Sequence, residues 1–95
     1  MIHVGTLTVV LYLHAADSLK DKRQVIKSLI ETTRHKFNIS IAEVEDLDLQ
    51  RRATIAVACV SNDKQHLNRV LDKVLDTLES NPAVEVGEVE MDLEG

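Results

Sequence analysis

The feature that most constrains the fold is a repeated change of hydrophobic period along the chain. Short stretches with alternating apolar residues, typical of β-strands, are separated by two longer stretches with apolar residues every three or four positions, typical of amphipathic helices. The order is strand, helix, strand, strand, helix, strand. Each strand–helix–strand half needs a right-handed crossover, which places both helices on one face of the sheet. The sequence therefore predicts an α+β fold: one ferredoxin-like βαββαβ plait over residues 1–95, with a four-stranded antiparallel sheet.

The predicted elements have recognisable ends. The first helix is expected to begin at Ser18 and to end near residues 37–38. The second lies between a capping sequence at 61–63 and a stop sequence at 80–82. The predicted strands cover residues 1–14, 39–45, 53–60 and 84–93.

Two glycines coincide with changes of phase in the strand pattern. In the first strand, apolar positions before Gly5 and after Thr6 fall on opposite faces, and the last strand changes phase at Gly87. A phase change within a strand requires an extra residue, and glycine forms such bulges easily. At Gly5 two interpretations stay open, a bulge or a strand that begins only at Thr6.

The start of the first helix, "SLKDKRQVIKSL", carries an unexpected charge pattern. Ser18 and Asp21 form a variant of the capping box. Basic residues nevertheless crowd this end, where the helix dipole already disfavours cations. We expect this cluster to bind an anion, and the predicted anion is an RNA phosphate. The candidate anion-binding residues are Lys20, Lys22, Arg23 and Lys27, with Arg34 and Arg51 as outer members.

The alternative is a solvated helix face with internal pairs such as Lys27–Glu31. Charge distribution bears on this choice, because the net charge of −5 does not itself suggest nucleic acid. Residues 1–52 carry a net +1 and residues 53–95 a net −6, whereas residues 18–37 alone carry +4. The last strand is acidic on one side, so nucleic acid would be restricted to the helix side.

Composition excludes several classes of protein. The apolar fraction of 44% and the charged fraction of 28% are typical of a globular domain. The single cysteine, Cys59, excludes an internal disulfide and a thiolate-held metal or cluster. The apolar start of the chain lacks a basic leader and is interrupted by polar residues, so we expect no signal peptide and no membrane span. These features are typical of a cytoplasmic protein without a cofactor.

The sheet face opposite the helices is predicted to be flat, with small and half-apolar side chains. A monomer seldom leaves such a patch in water, so we expect it to stack against another sheet, most simply in a two-fold homodimer. The alternative is an open face that tolerates solvent. RNA-binding plaits stack bases on aromatic residues of the central strands, and here there is only one such residue. The candidate oligomer-face residues are Thr8, Val10, Tyr12, Thr54, Ala56 and Ala58.

No arrangement of residues indicates catalysis. The loop "HAADS" between the first strand and helix has no glycine and no arginine, unlike the phosphate loop of the acylphosphatases that share this topology. His14 and Asp17 do not make a metal site without a third ligand. We therefore expect a protein that is not an enzyme. Leu47 and Leu49, in the predicted hairpin, are expected either to cover an edge of the core or to contact a partner.

Several stretches together resemble one family: "SLKDKRQVIKSL", "FNISIAEVEDLDLQRRATIAVACVSND" and "NPAVEVGEVEMDL". They are similar to the YlxP-like family of small bacterial proteins of uncharacterised function. The resemblance implies a ferredoxin-like fold. It also implies a gene near those for transcription termination, translation initiation and ribosome maturation, and hence a role near the ribosome. It implies no catalytic residues.

The resulting hypothesis is a non-enzymatic cytoplasmic factor that binds structured RNA or a ribosomal particle through the basic first helix. The rival is a protein-interaction or homo-oligomerisation module that uses the open sheet face and the hairpin. A third interpretation is a small-ligand sensor at a dimer interface.

Overall fold

A four-stranded antiparallel sheet and two helices form two layers in the computed structural model, which describes residues 1–94. The order of strands across the sheet is β2-β3-β1-β4. This confirms the predicted ferredoxin-like plait. The elements are β1 (His3–Tyr12), α1 (Leu19–Lys36), β2 (Ser40–Glu45), β3 (Arg52–Ser61), α2 (Lys64–Glu79) and β4 (Glu85–Glu94).

The core lies between the sheet and the helices, because alternate residues of the central strands and one stripe of each helix are apolar. Odd-numbered residues of β1 and β3 face the helices, so the even-numbered ones form the open face. None of the helices within residues 1–94 is long and apolar enough to cross a membrane. Buried core residues include Leu7, Val9, Leu11, Ile26, Leu29, Ile55, Val57, Leu71, Val74 and Leu78.

Both predicted helix starts are confirmed by capping hydrogen bonds. The Ser18 hydroxyl accepts from the Asp21 backbone N–H at 3.0 Å. The Asp21 carboxylate in turn accepts from the Asp17 N–H at 3.1 Å, one residue before the cap. Asp63 caps α2 by accepting from the backbone N–H groups of Gln65 and His66. These bonds satisfy donors that a helix start otherwise leaves free.

The prediction at Gly5 is wrong in both of its forms. The pairing of β1 with β3 runs without a shift from His3 to Tyr12, so there is no bulge and the strand begins before Thr6. Gly5 faces α2, where an added Cβ would lie 2.8 Å from Leu71 Cδ1. The glycine thus permits close approach of a helix.

The misleading signal came from two apolar residues at the start of the chain. Ile2 is 74% exposed and Val4 is 39% exposed. Val4 lies on the open face and Ile2 precedes the strand, so neither belongs to the core-facing set. The apolar spacing of these two residues therefore does not mark the core-facing side of the strand, and no phase change occurs within β1.

The phase change at Gly87 is confirmed. Val9 pairs with Val89, but Leu11, two residues on, pairs with Val86, three residues back along β4. The extra residue makes a bulge at this edge of the sheet. An added Cβ on Gly87 would lie 2.5 Å from the Tyr12 ring, so the glycine also makes room for that ring.

Candidate functional site

Four exposed basic side chains run along one flank of α1. Positions 20, 23, 27 and 34 are three, four and seven residues apart, which places them on the same side of a helix. From first to last they span about 21 Å at 1.5 Å per residue. We call this set the basic stripe: Lys20, Arg23, Lys27 and Arg34.

The basic stripe borders a shallow groove of about 270 Å³ between α1 and the edge strand β2. Arg23, Lys27 and Arg34 line it, and Ile26 and Ile30 form its apolar floor. Two carboxylates also reach this groove, those of residues 31 and 43. The groove therefore has an apolar floor and is lined by three cations but only two carboxylates, so its positive charge is only partly neutralised.

Lys22 does not belong to this surface, although the sequence placed it with the anion-binding candidates. Its side chain is fully buried. The ammonium lies 3.0 Å from Glu43 Oε2 on β2 and donates a hydrogen bond to the Asp46 carbonyl oxygen. Position 22 is four residues before Ile26, so it falls on the buried stripe of the helix. Lys22 is thus an internal tie between α1 and the β2–β3 hairpin.

The N-terminus of α1 is also less open to an anion than the charge pattern of the sequence indicated. One free N–H group of the first turn is already satisfied within the chain, because Ser18 accepts from the Asp21 N–H. The Asp21 carboxylate lies in that same turn and complements the helix dipole. The exposed cations therefore lie along the side of the helix, and one N–H group of its first turn is already capped.

The two outer candidates are held in place by backbone carbonyls. Arg34 donates to the Ile41 carbonyl of β2 at 3.1 Å. Arg51 donates through Nε to the Ala16 carbonyl at 3.1 Å, before α1 begins. Neither Arg51 nor Lys20 lines the groove. The structure thus groups Arg34 with the basic stripe and leaves Arg51 at the opposite end of α1.

Asp46 is a structural residue that sequence reasoning missed. It has a left-handed backbone, with φ of 64°, at the end of β2. Its Oδ2 accepts from Thr54 Oγ1 at 2.7 Å and from Arg52 Nε at 3.1 Å. The hydrogen bond from Thr54 and the charge of Arg52 hold the pKa of the Asp46 carboxyl below its usual value. A turn-forming aspartate directly after a strand was the available signal.

The open face places small side chains at its centre and carboxylates at one edge. Thr8 and Tyr12 are half-buried, as are Ala56 and Ala58. Val10 and Thr54 are already buried within the chain, at 8% and 4% exposure, so a partner would gain little from covering them.

The acidic side of β4 faces the same way. Its carboxylates lie directly opposite the open-face residues of β1 and are exposed. The acidic side of the last strand therefore lies on the open face; that it repels nucleic acid stays a prediction. The paired residues are Glu90 with Thr8, Asp92 with Thr6, and Glu94 with Val4.

Comparison with known proteins decides the family. Residues 4–91 match the family described as "Protein of unknown function (DUF503)". The chain belongs to this family. Over 73 residues it is 34% identical to "Uncharacterized protein YlxP" of Bacillus subtilis (strain 168), which covers 77% of this chain and 79% of that protein. The resemblance to YlxP-like proteins is therefore confirmed.

Solved structures share the fold at low sequence identity. The de novo designed protein Foldit4 matches with a TM-score of 0.54 and 16% identity, over 95% of this chain and 96% of that one. A mutant of SnoaB, a cofactor-independent oxygenase from Streptomyces nogalater, matches with a TM-score of 0.53 and 16% identity, over 97% and 91% of the two chains. At this identity the two matches show the fold alone.

Proposed function

We propose that this DUF503 protein is a non-enzymatic cytoplasmic factor that binds structured RNA, free or within a ribosomal particle, through the basic stripe. The observation that carries the proposal is the placement of four exposed cations on one flank of α1 in a protein whose net charge is −5. Such a stripe matches the electrostatic footprint of nucleic-acid binding. The gene neighbourhood implied by the family resemblance supports the same role.

The charge on the other faces supports a defined orientation. Carboxylates of β4 occupy the edge of the open face, so a polyanion would be repelled there and attracted to the helix side. Arg34 is fixed by the Ile41 carbonyl, which limits the entropy lost when it contacts a phosphate.

The test is ultraviolet crosslinking in bacterial cells, followed by sequencing of the RNA held by the tagged protein. The variant reverses three charges of the basic stripe, as Lys20→Glu, Arg23→Glu and Lys27→Glu; buried Lys22 is left intact. We expect RNA recovery to fall at least tenfold. With purified ribosomal RNA, the plot of log affinity against log salt should become less steep. The magnitude of its negative slope should decrease by roughly 2–3, because each lost phosphate contact contributes about 0.7–0.9 to it.

The matched control reverses the same number of charges on the other helix. Lys64, Arg69 and Lys73 of α2 are all exposed, and their change to glutamate alters the net charge equally. This control should retain RNA. An equal loss of RNA in both variants would show only an effect of net charge. If both variants retained RNA equally well, the basic stripe would not be the RNA-binding surface.

We propose homo-oligomerisation through the open sheet face as the second candidate function. Its supporting observation is a cross-strand pair of exposed valines, Val4 and Val60, at 39% and 70% exposure. Stacked sheets bury such pairs. Sedimentation velocity at high micromolar concentration should show a dimer that Val60→Glu dissociates; a monomeric wild type would contradict this candidate.

A further inference from the structure

The connection between β2 and β3 carries large apolar side chains into solvent. Leu47 is 54% exposed and Leu49 is 49% exposed. Neither belongs to the apolar core or to the partly buried side chains packed against it. Of the two roles that the sequence left open, cover for the core is therefore wrong. We call residues 46–51 the hairpin tip.

The hairpin tip is held by hydrogen bonds at both of its ends. Within it, the Leu49 N–H donates to the Asp46 carbonyl at 3.0 Å. Asp46 is tied to β3 through its carboxylate, and its carbonyl also accepts from buried Lys22. At the other end, Arg51 is bonded to the Ala16 carbonyl. Two leucines presented on a fixed backbone lose little entropy when they bind, which is the preorganisation expected of a recognition element.

Two carboxylates beside the leucines lack internal partners: Glu45 precedes Leu47, and Asp48 lies between the two leucines. Glu45 and Asp48 are exposed and form no ion pair with any residue from 1 to 94. Of the nearby cations, Arg52 is paired with Asp46, and exposed Arg51 is turned to the Ala16 carbonyl, to which its Nε donates. A surface that fits the hairpin tip must therefore offer positive charge around an apolar contact, because uncompensated carboxylates oppose association with a neutral or acidic surface.

We infer that the hairpin tip is a protein-docking element that places Leu47 and Leu49 in an apolar pocket with a cationic rim on a partner protein. The unpaired carboxylates of Glu45 and Asp48 oppose an RNA backbone and a second copy of the same hairpin tip as occupants. This inference is independent of the proposed RNA function, because it uses another segment and the opposite charge.

Site-specific photocrosslinking in cells tests the inference. p-Benzoylphenylalanine replaces Leu49 in one variant and Gln65, exposed on α2 and outside every proposed surface, in the control. We expect position 49, and not position 65, to crosslink to a protein whose contacted surface is basic. Combining the probe with Glu45→Lys and Asp48→Lys should lower the crosslink yield at least fivefold. The Lys20→Glu, Arg23→Glu, Lys27→Glu variant should leave that yield unchanged.

A binding measurement with the crosslinked protein separates docking from proximity. Leu47→Ser with Leu49→Ser should weaken binding at least tenfold, whereas Val89→Ser, at a similarly exposed valine, should not. Unchanged thermal unfolding would show that the variants are folded. The inference is overturned by no crosslink at position 49, by crosslinks to RNA or to a second copy, or by a yield insensitive to the charge reversal.

Discussion

The ammonium of Lys22 and the carboxylate of Glu43 lie 3.0 Å apart where α1 packs on the edge strand β2. Lys22 is fully buried, and Glu43 is 15% exposed. The contact is an ion pair without the alignment of a hydrogen bond. The same ammonium also donates a hydrogen bond to the Asp46 carbonyl oxygen. A buried cation requires such partners, so this arrangement fixes α1 against the hairpin tip.

Removing the lysine should therefore destabilise the fold. Lys22→Ala leaves a nearly buried carboxylate and a carbonyl without their cation, and breaking a buried pair in this way costs about 3–5 kcal/mol. We expect a loss of this size in the free energy of unfolding, measured by urea denaturation with circular dichroism. Lys20→Ala, at an exposed position two residues earlier, should change it by less than about 0.5 kcal/mol.

A double variant distinguishes the ion pair from simple packing. Lys22→Met with Glu43→Leu removes both charges while keeping side-chain volume, and such replacements are often neutral or stabilising. We expect it to recover most of the stability lost in Lys22→Met alone. A double variant as unstable as the sum of the two single variants would contradict the assignment.

The lowered pKa of Asp46 predicts a dependence of stability on pH. Because the folded-state pKa lies below the usual value of 3.8, the ionised form stabilises the fold at neutral pH. That contribution is fully present above the unfolded pKa and is lost as the pH falls through the folded pKa. Asp46→Asn should be less stable than wild type at pH 7, and the difference in unfolding free energy should shrink below about pH 4.

Asparagine suits this test because it tolerates the left-handed backbone that Asp46 adopts, with φ of 64°. The comparison therefore isolates the charge from backbone strain. Urea unfolding of both proteins at several pH values between 7 and 2.5 supplies the measurement. If the difference in unfolding free energy between the two proteins stayed constant down to pH 2.5, the lower stability of Asp46→Asn would not come from the ionisation of Asp46.

The sequence predicts the architecture because the hydrophobic periods of strands and helices are long and regular. Both helix caps were also predictable, since Ser18 and Asp63 are residue types that accept from free N–H groups. The two glycines show the limit of the method. A bulge at Gly87 and a close helix contact at Gly5 give similar local patterns, and only packing against Leu71 distinguishes them.

The candidate site was predicted only in part, for a related reason. Charge at a helix start was visible, but the direction of each side chain depends on which helical face meets the sheet. Extending the apolar stripe back from Ile26 by four residues would have placed Lys22 inside. Its partners Glu43 and Asp46 are more than 20 residues away in the chain, so only the folded topology brings them together.

The contact between Gly5 and α2 predicts that even the smallest side chain is harmful. In Gly5→Ala, the new Cβ would meet Leu71 Cδ1 at 2.8 Å and Leu67 Cγ at 3.0 Å. Both leucines are fully buried or nearly so and cannot swing into solvent. Such overpacking typically costs about 1–3 kcal/mol. We expect the free energy of unfolding, measured by urea denaturation, to fall by an amount in that range.

A second substitution identifies the cause of that loss. Leu71→Ala alone should be destabilising because it leaves a cavity. Combined with Gly5→Ala, it should cost less than the sum of the two single changes, since the added methyl group enters the vacated space. Additive costs would point to backbone effects of glycine replacement instead of the contact with α2.

The basic stripe predicts that function opposes stability at the start of α1. Lys20 lies in the first turn, where a cation is unfavourable, so Lys20→Glu should stabilise the RNA-free protein by about 0.3–1 kcal/mol. Lys27→Glu lies mid-helix and faces Glu31 one turn later, so it should destabilise by about 0.2–0.5 kcal/mol. Both should weaken RNA binding. Thermal unfolding and RNA titration at low salt measure the two effects. If Lys20→Glu weakened RNA binding without stabilising the free protein, Lys20 would not destabilise the helix start, and the prediction would be wrong.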